Sequence, residues 1–363
     1  MGTGPRWDRT KTVTAAAVVA LPIIVLGSST RPLDGHQASW DHLDTLAVLG
    51  GGPTWTEPPF YRVFDGILDN ERNAVFLANG GDGELIRYDV GSGQIERIGK
   101  RGRGPGEFGR PLWMEPYGPD SLLVYDLGLI QFSVFSRSGG FGRTFRAQGT
   151  GLRGKQAAAV ARLPTGTWLG VQSGTPQVLM GVDTPPGTKA RDTLIVYAID
   201  EDGNAHNTIA RVPHGLWERL PDTTSFNVRR DEDAGGAAIA GGGDRLFVAG
   251  IGDSLEVFEY RVGDNAREPP RSPVSPPGMP RQGVHQVFAS REGSLWIGQH
   301  DPAAESTVFN VFEEPSVGWL QTGTLTLQGN VLVLDASQDR VLFLHRDSLG
   351  QETVVVARAG GTG

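Results

Sequence analysis

The 363-residue chain has no cysteine, which excludes disulfide stapling, thiolate chemistry and attachment of a lipid through sulfur. It also lacks a basic excess. Its 33 Lys and Arg face 41 Asp and Glu, a formal charge of −8, and a general nucleic-acid binder needs a basic surface to neutralise phosphates. The seven histidines (His36, His42, His206, His214, His285, His300 and His345) show no H-x-H or H-E-x-x-H spacing, so the signature of a zinc hydrolase is missing. Long amphipathic runs are missing too: apolar-periodic segments rarely pass eight residues before Gly, Pro, Asn or Asp interrupts them, which excludes a helical protein.

What is present in quantity is turn chemistry. The 52 glycines and 24 prolines lie in short clusters between apolar runs rather than in one low-complexity tract, the pattern of many strands joined by many turns. The class is all-β. Residues 1–29 differ in kind. Arg6, Arg9 and Lys11 precede "VTAAAVVALPIIVLG", an apolar run of signal-peptide length, and Gly27, Ser28 and Ser29 offer small residues for cleavage. The expectation is an exported protein, periplasmic or extracellular, with an uncleaved inner-membrane anchor as the alternative. Without residues 1–29 the count is 30 basic against 40 acidic groups, so the exported part is the more acidic.

One pattern recurs six times: a hairpin signal, four or five apolar residues, then a polar or small stop. The copies are "AVFLAN" ending at Asn79, "LLVYD" at Asp126, "TWLGVQ" at Gln172, "RLFVAG" at Gly250, "SLWIGQ" at Gln299 and "NVLVLD" at Asp335. Each has a following apolar run, such as "LIRYD" or "QFSVFS", and several have a fourth; an upstream run is clearest in "YRVFDGIL" and "VHQVFA". The unit is a four-stranded antiparallel meander, strands a to d, which cannot cover both its faces alone and so must stack around an axis. Six units predict a six-bladed β-propeller over residues 43–359, after a linker at 30–42 and before a flexible tail at 360–363. "LDTLAVLG" at 43–50 is expected to pair with the C-terminal blade and close the ring, covering a bare sheet edge.

Residues 99–143, "GKRGRGPGEFGRPLWMEPYGPDSLLVYDLGLIQFSVFSRSGGFGR", resemble the NHL-type repeat, in which a Gly-rich G-P-G-E-F segment precedes a strand ending in Asp. The whole chain resembles the exported bacterial six-bladed propellers of the TolB-like and NHL-like group. It departs from the repeat at Gln172, Gly250 and Gln299, where Asp is favoured. The resemblance implies the propeller fold, while its function is open among binding, scaffolding, hydrolase and lyase roles.

Three segments imitate catalytic motifs. "GPGEFG" at 104–109 matches the dinucleotide fingerprint, but Arg110-Pro111 follows where a helix must begin. "GTGLRGKQ" at 149–156 has Gln156 where a phosphate-binding loop needs Ser or Thr, and "GDSL" at 252–255 has no D-x-x-H to supply a base. All three read as chance matches.

In an up-and-down meander the b-to-c and d-to-a loops open on one face. The long irregular stretches at 173–191, 213–235 and 263–283 fall there, so that loop-rich face is the functional candidate. Its predicted binding residues are Asn79, Asp126, Gln172, Gln299 and Asp335 around the opening, with Arg101, Arg103, Glu107 and Arg110 from the basic loop. The structural alternatives are specific. Gly and Pro of 102–106 satisfy turn angles, Phe108 fills the gap between sheets, and Asp126 and Asp335 accept backbone N–H bonds that shape turns. Trp113, Trp168 and Trp296 read as packing between blades. Two functions follow. The first is a binding or scaffold module that needs no cofactor and takes a protein or small-molecule ligand. The alternative is a calcium-dependent hydrolase or lyase of the gluconolactonase or paraoxonase type, with Asp126, Asp335, Asn79 and Glu115 as oxygen ligands and His300 or His214 as acid or base.

Overall fold

Short runs of β-branched and aromatic residues, stopped by Gly, Asp and Asn, form twenty-four strands among the described residues of the computed structural model. The structure describes residues 43–51, 55–146, 158–162, 168–172, 177–181, 183–200, 204–220, 228–231, 236–242, 245–251, 255–261, 277–280, 283–290, 292–314, 318–337, 339–347 and 349–359. The signal-like segment 1–29 and the linker 30–42 lie outside this set. Among the described residues no helix is long and apolar enough to cross a membrane.

The chain begins with β1 (Leu43–Leu49) and then forms its first meander from β2 (Val63–Asp69), β3 (Ala74–Asn79), β4 (Glu84–Asp89) and β5 (Ile95–Ile98). The second comprises β6 (Pro111–Pro116), β7 (Ser121–Asp126), β8 (Gln131–Ser136) and β9 (Phe141–Phe145). The third has five strands, β10 (Ala158–Arg162), β11 (Trp168–Gln172), β12 (Lys189–Ile199), β13 (Ala205–Arg219) and β14 (Val228–Asp231). Then come β15 (Gly236–Gly242), β16 (Arg245–Ile251) and β17 (Leu255–Arg261), followed by β18 (Val284–Ala289), β19 (Leu295–Asp301), β20 (Ser306–Glu313) and β21 (Leu320–Gln328). The last sheet holds β22 (Asn330–Ser337), β23 (Arg340–Arg346) and β24 (Glu352–Ala359), with β1 as its fourth strand.

All sheet pairings are antiparallel between neighbours, and the first strands of the sheets touch one another in sequence: β2 with β6, β6 with β10, β10 with β15, β15 with β18, β18 with β22, and β22 back to β2. Sheets set radially around a closed ring make a β-propeller. Four sheets have the expected four strands, the third has five, and β15–β17 has three among the described residues, so five sheets reach the size of a full blade. The ring closes as the sequence suggests: β1 pairs with β24 from Leu43↔Ala359 to Leu49↔Val354.

Apolar side chains fill the spaces between adjacent sheets rather than one central core. Phe76, Leu85 and Phe108 pack against Met114, Val124 and Phe135 between the first two sheets, and Trp296 and Phe309 pack against Val333 and Phe343 between the last two. Sandwiching explains why every residue of β3, "AVFLAN", is buried although a one-sided strand would alternate. Trp113 is likewise packed between sheets, and the side chain of Trp168 lies outside the described set.

Two expectations are corrected. "NVLVLD" is not a second strand. It is β22, the innermost strand of its sheet, because only β23 and β24 follow it and β1 must complete the meander. Residues 213–219 are not loop: β13 runs through them, pairing Leu216–Glu218 with Lys189–Arg191 of a lengthened β12, and β14 returns alongside. The two strands support each other beyond the blade, so Pro213 does not end the pairing.

Candidate functional site

Strand register fixes which end of the ring each residue occupies. Asn79 pairs with Val63, Asp126 with Pro111 and Gln299 with Val284, so Asn79 and Asp126 end a second strand, and Gln299 lies two residues from the end of one, beside the start of an innermost strand. Gln172 ends β11 in the same way, with its side chain outside the described set. This is the crossing end, where the chain passes from blade to blade; the other is the hairpin end. Asp335 does not join them. It sits in the lower half of β22, opposite Leu342, and accepts the Leu68 N–H at 2.7 Å.

Most predicted site residues are occupied in building turns. The buried Asp126 accepts N–H bonds from Gly109 at 2.6 Å and from Arg110 and Leu129 at 2.9 Å each, pinning the basic loop to the β7–β8 turn. Asn79 is buried, accepts from the Tyr61 N–H, and donates to Asp82 and Glu84 at 2.9 and 3.1 Å. Glu107 staples its own loop, accepting the Arg103 and Gly104 N–H groups at 3.0 and 2.8 Å. The Gly104 bond and then Lys100 hold its carboxyl below the usual carboxylate range. Arg101 donates to the Gly81 carbonyl and forms a backbone bridge with Phe108. Phe108 is fully buried against Phe135, ring centroids 5.1 Å apart, which stabilises the crossing by about 2 kcal/mol over exposure. Gly99 makes room for it: at φ 73° a Cβ there would lie 2.6 Å from the Phe108 ring. "GPGEFG" is therefore a blade crossing. "GTGLRGKQ", nearly all of "GDSL" and the side chain of His214 lie outside the described residues.

The oxygen set proposed for calcium is not assembled. Asp126 has both oxygens bonded to backbone N–H groups, Asn79 is bonded to neighbours, and Asp335 stands on another tier. Among the described residues no group of three or more His, Asp or Glu is placed to hold a metal ion. As placed, these residues do not fit the cation. His300 bonds the Thr307 hydroxyl at 3.2 Å.

A carboxylate that sequence reading missed is Asp65, on innermost β2. It accepts N–H bonds from Met114 at 2.7 Å and Gly66 at 2.8 Å, so it links the first two blades as Asp335 links the last and the first. Asp65 keeps some accessible surface but is crowded by protein, and this desolvation pushes its carboxyl well above the usual range. The two N–H bonds oppose the shift, and the charges of Glu115 and Asp335 add to it. Its signal in the sequence is a lone Asp inside the apolar strand "VFDGIL".

At the crossing end the last, first and second blades converge on a cleft of about 440 Å³ lined by Tyr61, Arg62, Phe64, Arg110, Arg346, Gly350 and Glu352. Arg110 comes from the predicted set; the others were not foreseen, because each sits on a different loop and only the ring brings them together. Glu352 is buried and committed, accepting the Val63 N–H at 2.6 Å and a two-pronged contact from Arg346 at 2.5 and 3.0 Å. Arg62, held at φ 58°, lies over the Tyr61 ring at 5.4 Å. Neither Arg62 nor Arg110 has a carboxylate partner among the described residues, and the buried Nε of Arg110 has no hydrogen-bond acceptor there. The lining's one carboxylate, Glu352, is already tied to Arg346 and to the Val63 N–H.

No family model matches the chain, and no curated protein matches it. Solved structures do. A protein of Bacteroides fragilis assigned to export aligns over 90% of this chain and 98% of its own, at 11% identity and a TM-score of 0.51. The likeness carries the fold. A luciferin-regenerating enzyme (10% identity, 84% of this chain and 92% of its own, TM-score 0.47) is also similar. So is regucalcin, a calcium-binding protein of Agrobacterium tumefaciens (10% identity, the same coverages, TM-score 0.43). Fold alone assigns no activity.

Proposed function

We propose that the chain is an extracytoplasmic binding or scaffold propeller that engages a protein or small-molecule ligand at its crossing end. The single observation that carries this is the contrast within that end: Asp126, Asn79 and Glu352 are committed to hydrogen bonds within the protein, whereas Arg62, Arg110, Tyr61 and Phe64 line an open cleft. β15–β17 counts as the fourth of six blades. The apolar, basic-flanked N-terminus supports export, as does the likeness to a protein assigned to export. The NHL-like segment agrees with this reading, because its glycines, Phe108 and Asp126 build the crossing that carries Arg110.

The test is a fragment screen by thermal shift on the full chain and on the Tyr61→Ala and Phe64→Ser variants, run beside lactone hydrolysis with millimolar calcium. Fragments are expected to stabilise the parent and lose their effect in the variants, with no calcium-dependent turnover. Turnover abolished by Asp126→Asn or Glu115→Gln would overturn the reading in favour of an enzyme.

A further inference from the structure

We infer that the cleft's ligand is an organic oxyanion, a carboxylate or a phosphate monoester, carried on a flat apolar body; this rests on the binding-module reading above. The lining holds three guanidiniums and one carboxylate in a chain whose formal charge is −8. A cationic cleft on an acidic protein concentrates field lines and draws anions to one place. Glu352 neutralises Arg346, whose Nε–H and Nη2–H both converge on its Oε1, a charge-assisted contact that leaves the other two guanidiniums of the lining. Arg62 and Arg110 remain, and an incoming oxyanion would take them in the way Glu352 takes Arg346. Among the described residues no ion pair accounts for them. The side chain of Arg110 makes no hydrogen bond among the described residues, although its backbone N–H is bound to Asp126.

The apolar half of the ligand follows from the walls. Six large apolar side chains are exposed among the described residues. Two of them line this cleft, Tyr61 at 56% and Phe64 at 37%, and Leu349 at 90% precedes the lining residue Gly350 in the chain. Clustered exposed aromatics on a soluble surface mark an interaction site. Arg62 over the Tyr61 ring places charge and aromatic face side by side, which suits an aryl group bearing an oxyanion.

Calorimetric titration of the full chain with benzoate, phenyl phosphate, inorganic phosphate and benzyl alcohol tests this, and the first two separate the carboxylate source from the phosphate. At least one aryl oxyanion should bind, with inorganic phosphate and benzyl alcohol each tenfold weaker or more. Arg62→Gln and Arg110→Gln should each weaken the binding tenfold or more at unchanged melting temperature, Arg110→Lys should restore part of it, and Arg87→Gln, on a blade exterior and paired with Glu96, should change nothing. Equal affinity for benzyl alcohol, or undiminished binding in both glutamine variants, overturns the inference. If neutral fragments bind at the cleft and no oxyanion does, the ligand class is wrong and the binding module stands; if no probe binds there, both readings fall.

Discussion

At the hairpin end of the ring, Arg72 and Arg137 both reach the buried carboxylate of Asp69, at 3.4 and 2.8 Å, and Arg72 also bonds Asp120 at 2.6 Å; at the crossing end, Arg62 and Arg110 line a cleft without a carboxylate partner among the described residues. The same residue type serves opposite purposes. Asp69 closes β2, while Asp120 and Arg137 flank strands β7 and β8 in the turns of the second blade, so the hairpin-end network clamps two blades together and is fixed by the fold. The crossing-end arginines clamp nothing within the described residues, and their position is set by backbone bonds to Asp126 and by the Tyr61 ring. Where charge is satisfied internally the surface is architectural, and where it is left over the surface is available for recognition.

The largest effect should come from breaking the clamp. Asp69→Ala strands Arg137, whose side chain is nearly buried, and should cost about 3 kcal/mol in urea unfolding. A loss near zero would mean that the hairpin end is no more structural than the crossing end. Asp126→Ala comes next. It leaves three backbone N–H groups unbonded and should cost about 2 kcal/mol, equally with or without millimolar calcium. Stability that depended on the metal would return Asp126 to the cation site.

Asp65 sharpens the comparison through pH. Its carboxyl in the folded chain lies above the ordinary aspartate value of 3.8, so between those two values the native state holds a proton that the unfolded chain has lost. Its ionisation therefore lowers stability as pH rises through that window, and the full penalty is in place above the folded value. Asp65→Asn should gain melting temperature relative to the parent as pH climbs from the acid side, read as the difference between the two curves. A flat difference would contradict the assigned cause. The smallest effect belongs to the cleft: Arg62→Gln and Arg110→Gln should each move the melting temperature by no more than about 2 °C.

Much of the fold was legible because its signals are local. Hairpin residues and apolar runs marked the strands, an apolar N-terminal run at 43–49 matched the edge it covers, and Phe108 between glycines marked a buried crossing. The last blade was read one strand out of step because its runs "NVLVLD", "RVLFLH" and "TVVVAR" are equally apolar, and a shift by one strand leaves the pattern intact; Asp335 moved tier as a result. The site was legible only in Arg110. A cleft assembled from residues 61–64, 110 and 346–352 depends on ring closure. Whether a guanidinium finds a partner depends on distances that no spacing encodes.

The most direct test is a crystal structure of the full chain soaked with phenyl phosphate. The account predicts the phosphoryl oxygens between Arg62 and Arg110, with the ring against Tyr61 and Phe64. Phosphate density beside Arg72 and Arg137 at the hairpin end, with the cleft empty, would contradict it.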